Sequence, residues 1–220
     1  MITLFENYNQ MSEYVASLVA ETIDENPQCK LGLPTGSTPI GMYRNLVQGE
    51  LDWSEVQTFN LDEYEGISHL HPESYHMYMK KNLFLHVNLK KENMYFPDKN
   101  YDKTIRGLGG LDLVILGIGH NGHIAFNEPG SSLTSKTRKV KLSKETIEAN
   151  SRFFSDVTEV PKKAHTMGMK TIRESKKVIL IANGEDKFNI LDECFNGSVT
   201  KDRPASILQV HPNIQVFYAS

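Results

Sequence analysis

The sequence predicts an α/β fold, a mainly parallel sheet covered by helices on both faces, and three observations carry that expectation. Leu111–Leu116 and Lys177–Ala182 are nearly unbroken apolar runs of strand length, as strands buried on both faces require. Segments with helical periodicity alternate with the strand candidates, the signature of crossover connections. Glycines and chemically active side chains stand just after the apolar runs, where ligands bind in open α/β sheets. In order along the chain, Met11, Tyr14, Val15, Leu18, Val19 and Ile23 recur at three- and four-residue steps and predict an amphipathic helix near 9–25. Lys30–Leu33 is a short strand, followed by a turn and a helix to about Gln48. Gln57–Leu61 is a strand with Asp62 at its end, and Ser74–Leu85 is helical with Tyr75, Tyr78, Met79 and Leu83 as its apolar face. Glu185–Phe195 is a further helix. Together these make a Rossmann-like three-layer sandwich.

One domain spanning 1–220 is expected, since no repeat, low-complexity tract or linker divides the chain. A formal net charge of -3 gives no electrostatic reason for nucleic acid as a partner. No apolar run approaches membrane-spanning length, and the first residues lack a basic-then-apolar secretory pattern. Cys29 and Cys194 are far apart with no metal or redox spacing, so a reducing, cytoplasmic setting is expected.

Thr134 to Val157 departs from the strand–helix rhythm. It is rich in Ser, Thr, Lys and Arg, contains Ser143-Lys-Glu-Thr-Ile-Glu148 with the look of a short capped helix, and follows a glycine-rich stretch directly. A polar insertion there reads as a mobile lid, against the plainer reading of a surface excursion.

That glycine-rich stretch, Gly117 to Gly130, carries His123 and Glu128 five positions apart, an acid/base pair in the expected place. Leu33-Pro-Thr-Gly-Ser-Thr-Pro39 joins a strand to a helix, with Thr38 suited to the N-cap and Pro39 to the first turn. Gly36, Ser37 and Thr38 there would bind an oxyanion or merely cap the helix; no Gly-Lys-Ser/Thr ending makes it a nucleotide loop. Arg152 and Lys187 are cations available to an anionic ligand, or solvated surface charges. Asn60-Leu-Asp-Glu-Tyr64 crowds two acids at a strand end, which suggests proton chemistry or a divalent metal with His69 or His71. The remaining histidines occur singly, and packing or surface placement is their default.

These motifs together resemble the glucosamine-6-phosphate deaminase family, in its isomerase branch. The resemblance runs through His71-Pro-Glu-Ser-Tyr75, Ala149-Asn-Ser-Arg-Phe-Phe154 and Pro204-Ala-Ser-Ile-Leu-Gln209 as well as the segments above, and so covers essentially the whole chain. It implies conversion of glucosamine 6-phosphate and water to fructose 6-phosphate and ammonia, without a cofactor. It further implies Asp62 as the base moving a proton between C2 and C1, and His123 as the ring-opening residue with Glu128 and Asn121 behind it. Glu63 would adjust Asp62, while Gly36, Ser37, Thr38, Arg152 and Lys187 would hold the phosphate. Three departures stand out. Position 121 is Asn where some members have Asp; Pro97–Lys103 is a short connection; and the chain stops at Ser220, soon after its last strand. The last implies a monomer or small homo-oligomer. With Val140 in place of a basic residue beside Arg138, regulation by N-acetylglucosamine 6-phosphate lacks support. Rival readings are a 6-phosphogluconolactonase-like hydrolase and a non-catalytic sugar-phosphate sensor.

Overall fold

The computed structural model describes residues 2–220; Met1, at the edge of the expected domain, lies outside the described residues. The strands β1 (Ile2–Phe5), β2 (Lys30–Leu33), β3 (Gln57–Asn60), β5 (Met94–Tyr95), β6 (Leu113–Leu116), β9 (Lys177–Asn183) and β10 (Ile214–Ala219) form one sheet in the order β1-β10-β9-β6-β2-β3-β5. Every pairing in it is parallel. The chain builds outward from β2 through β3 to β5, then returns to lay β6 on the other side of β2 and continues to β9 and β10. The switch point therefore falls between β2 and β6, and the loops leaving those two strands diverge to open a crevice.

Strand alternation divides the core in two. Leu113 and Ile115 face one side, with α1 (Tyr8–Glu25) and α2 (Ile40–Gln48) packed over them through Val15, Val19, Met42 and Leu46. Val114 and Leu116 face the other, under α4 (Tyr101–Gly107), α6 (Met169–Arg173) and α7 (Phe188–Phe195). The three-layer expectation is thus observed, and the strand and helix limits fall within a few residues of those read from the sequence. The short Pro97–Lys103 connection leads straight into α4, and Tyr101 is buried with its hydroxyl donating to the Asn60 carbonyl (2.7 Å).

Two expectations need correction. Gln57–Leu61 does not simply end at Asp62: the chain breaks at Leu61 and Asp62–Tyr64 forms β4 of a second, antiparallel sheet, β4-β8-β7. Its partners are β8 (Lys163–Thr166) and β7 (Arg138–Lys141), in a register that aligns Asp62 with Thr166 and Thr166 with Arg138. The polar 134–157 segment contains the paired strand β7 near its start. It continues into α5 (Lys144–Asn150), capped by Ser143 as expected, and Ile147, Phe154, Val140 and Leu142 give it a small core of its own with Tyr64 and Phe126. Finally, Thr38 is not the N-cap of α2; Pro39 holds that position without a side-chain bond. The Tyr8 hydroxyl takes over, accepting from the Gly41 N–H (2.7 Å) and donating to the Thr38 carbonyl (2.9 Å).

Candidate active site

Four adjacent strands of the main sheet, β9-β6-β2-β3, deliver their carboxyl ends to one crevice. β3 leads to Asp62, β2 to the 34–39 turn, β6 to the glycine-rich loop with His123, and β9 to Gly184 and Lys187. All four meet around a single cavity of about 440 Å³, whose wall includes Gly36, Ser37, Thr38, Asp62, His123, Arg152 and Lys187. Asn121 and Glu128 are not on that wall; they stand behind the histidine. Sequence reading missed Tyr64, Tyr75, Lys81, Asn82 and Thr146, which also line it. Of these, the two tyrosines lay in view within the quoted motifs, whereas Thr146 enters only through the way α5 folds back over the crevice. A second, shallower cavity of about 510 Å³ between 65–71 and 158–163 contains His71, the alternative metal-ligand candidate, but none of the residues expected to carry catalysis or phosphate binding.

At the end formed by the 34–39 turn, Gly36 has φ +96, a conformation L side chains rarely adopt, and a Cβ there would meet nothing within 4 Å. The requirement for glycine is therefore conformational, not steric. The Tyr78 hydroxyl donates to the Gly36 carbonyl (2.6 Å) and fixes the turn from α3 (Tyr75–Met79). Arg152 has its guanidinium 4.7 Å over the Phe153 ring. Lys187 pairs only loosely with Asp186, at 3.6 Å.

At the other end, Asp62 is 6% exposed, and burial first, then the neighbouring Glu63 charge, holds its carboxyl well above the usual range. Glu63 itself has a structural occupation that the sequence did not reveal. Alternating to the opposite side of β4, it accepts from the Tyr75 and His76 N–H groups (both 3.0 Å) and pairs with the His76 ring at 2.7 Å. It thereby caps α3 and fastens it to the strand bearing Asp62. His69 stacks on His76 (3.8 Å between rings), and among the described residues no group of three or more His, Cys, Asp or Glu gathers as metal ligands would.

His123 is set by a chain of hydrogen bonds whose directions can be deduced. The Glu128 carboxylate only accepts, so the Asn121 group 3.1 Å from its Oε2 is the amide nitrogen. Asn121 Oδ1 then faces the histidine, accepting from its backbone N–H (3.2 Å) and its Nδ1 (2.7 Å). Nδ1 carries the proton, and Nε2 is left as an acceptor. Glu128 Oε2 is 3.6 Å from Nδ1, too far for a hydrogen bond, so its hold on the ring passes through Asn121. Burial, assisted by the charges of His120 and Lys187 and opposed by Glu128, pushes the imidazole down to about 4. The ring is packed so closely on the loop that a Cβ on Gly119 would lie 2.1 Å from its Cε1.

A pH consequence follows. The unfolded histidine takes up a proton from about 6.5 downward, whereas the folded one resists until about 4, so acid destabilises the native state across that window. Urea unfolding between those limits should show about one fewer proton in the pH dependence of stability for His123→Gln than for wild type. An unchanged slope would mean the ring titrates alike in both states.

Residues 5–217 match the family model described as glucosamine-6-phosphate isomerases/6-phosphogluconolactonase, a class whose members share this fold. The glucosamine-6-phosphate deaminase of Thermoanaerobacter pseudethanolicus is 46% identical over 96% of this chain and 88% of its own length. That of Halothermothrix orenii is 47% identical, over 97% of this chain and 94% of its own. The chain belongs to the glucosamine-6-phosphate deaminase family. A solved monomeric glucosamine-6-phosphate deaminase is 38% identical and superposes with a TM-score of 0.96, covering 99% of this chain and 96% of that one. The 6-phosphogluconolactonase of Thermotoga maritima, 20% identical with a TM-score of 0.80, shares the fold.

Proposed function

We propose that this chain converts glucosamine 6-phosphate and water to fructose 6-phosphate and ammonia, as a monomer or small homo-oligomer of the cytoplasm. The observation that carries the reading is the meeting of a buried aspartate, a neutral imidazole and an anion-binding turn around one hexose-sized cavity. The phosphate sits on the Gly36, Ser37 and Thr38 turn with Arg152 and Lys187 as counter-charges, and so anchors the sugar at the end remote from the chemistry. Unprotonated Nε2 of His123 takes the C1 hydroxyl proton and returns it to the ring oxygen, opening the pyranose. Ionised Asp62, made a stronger base by its burial, removes the C2 proton and delivers it to C1. The resulting C2 imine adds water and expels ammonia. The 134–157 segment, with Arg152 close behind α5, acts as the lid over this pocket.

Ammonia release from glucosamine 6-phosphate is the decisive assay; hydrolysis of 6-phosphogluconolactone without it would favour the lactonase reading instead. In the same assay, Arg152→Ala and Lys187→Ala should each raise KM about tenfold or more through loss of a charge-assisted contact, with a smaller effect on kcat. Unchanged KM in both would remove these cations from the phosphate site.

A further inference from the structure

We infer that Thr146, on the inner face of the lid helix, is a positioning residue that transmits the seating of the lid to His123. Thr146 is 2% exposed, and its hydroxyl donates to Glu128 Oε1. The same hydroxyl accepts from Ser143 Oγ (3.2 Å), and Ser143 also accepts from the Thr146 N–H (3.1 Å) as the cap of α5. Every hydrogen bond in the row has a fixed direction: Ser143 to Thr146, Thr146 to one oxygen of Glu128, Asn121 to the other, and His123 Nδ1 to Asn121. Glu128 therefore has one oxygen held by the catalytic loop and one held by the lid. One turn further along α5, the Asn150 amide donates to the Tyr64 hydroxyl (2.9 Å), so the same helix face also grips the strand of Asp62.

The consequence rests on the deaminase reading above. With α5 seated, both oxygens of Glu128 are engaged, its rotation is blocked, and the Asn121 amide is locked with its oxygen toward Nδ1. With α5 lifted, Oε1 loses its donor, the carboxylate can turn, and the amide no longer has one fixed partner. The tautomer that leaves Nε2 free to accept is then less well defined. Ring opening is thereby favoured when the pocket is covered. The residue acts on the histidine without touching the sugar's reacting atoms.

The test compares Thr146→Val, which keeps the shape and removes the hydroxyl, with Thr146→Ser, which keeps the hydroxyl. Thr146→Ala serves for Val should the latter not fold. Two readouts are needed: steady-state ammonia release from glucosamine 6-phosphate, and binding of an acyclic 2-amino-hexitol 6-phosphate, which needs no ring opening. The valine variant should lose about fivefold to tenfold in kcat, the scale of one hydrogen bond, with KM and acyclic-ligand affinity within about twofold of wild type. The serine variant should restore kcat to within about twofold. Undiminished kcat in the valine variant overturns the inference. So does a serine variant as slow as valine, or acyclic-ligand affinity that falls in step with kcat. Wild-type protein that releases no ammonia would instead sink the reading beneath it, a result separable from any of these.

Discussion

Asp62→Asn should reduce turnover of glucosamine 6-phosphate by a factor on the order of 10² to 10⁴, the range of a lost general base, while substrate affinity stays within a small factor. The substitution is nearly isosteric, and neither the Glu63 cap on α3 nor the anion turn involves the Asp62 side chain. Stability should move the other way. A carboxyl whose folded pKa lies above its unfolded one favours folding at low pH, and that contribution is lost as pH rises through the folded value. As pH rises toward and through that folded value, ionising Asp62 becomes a growing burden on the fold, so the amide variant should melt no lower than wild type, and relatively higher as pH increases. A site that stores instability for the sake of a strong base has this signature. Near-normal ammonia release from the variant would remove Asp62 from the mechanism.

Gly119→Ala should cost about a hundredfold in kcat without unfolding the protein. The new Cβ would sit 2.1, 2.3 and 2.4 Å from three atoms of the His123 ring, so the ring must leave its place. Displacement of a reacting group by about 1 Å is enough for such a loss. The rest of the loop has no reason to yield, because the Gly119 N–H bond to the His123 carbonyl (2.9 Å) involves backbone alone. The clash is with one side chain, which makes the cause separable. In a His123→Ala background the added methyl should cost almost nothing further, a strong departure from additivity. Additive losses would show that the alanine damages the loop rather than the imidazole.

Much of this was legible in the sequence, and the physical reason is locality. Leu113–Leu116 and Lys177–Asn183 are buried on both sides, so burial wrote itself as unbroken apolar runs. The glycine-rich loop and the acids after β3 were readable because strand tips are where side chains can serve a ligand rather than a core. The second sheet was not readable. Asp62–Tyr64 is too short to show a two-residue period, and Arg138–Lys141 is mostly basic, so only their pairing with β8 makes them strands. The cap of α2 was misplaced for a related reason: its donor is met by Tyr8, from a different element 33 residues earlier. Glu63 does raise the Asp62 carboxyl, as adjacency suggested, but strand alternation also turns its side chain to the opposite side, onto α3, a second role that adjacency does not show. The order His123, Asn121, Glu128, Thr146 likewise depends on how α5 folds back, which spacing along the chain does not encode.

The register that aligns Asp62 with Thr166 and Arg138 bears on how firmly Asp62 is held. β7 runs directly on toward α5, and β4 carries Asp62 two ladders away on the same three-stranded ribbon. Thr166 also receives the Phe126 N–H (3.0 Å), which ties the ribbon to the histidine's loop. If the 134–157 segment moves as proposed above, the paired strand Arg138–Lys141 stays put and the hinge falls beyond Lys141, so Asp62 belongs to the door frame while only the door moves.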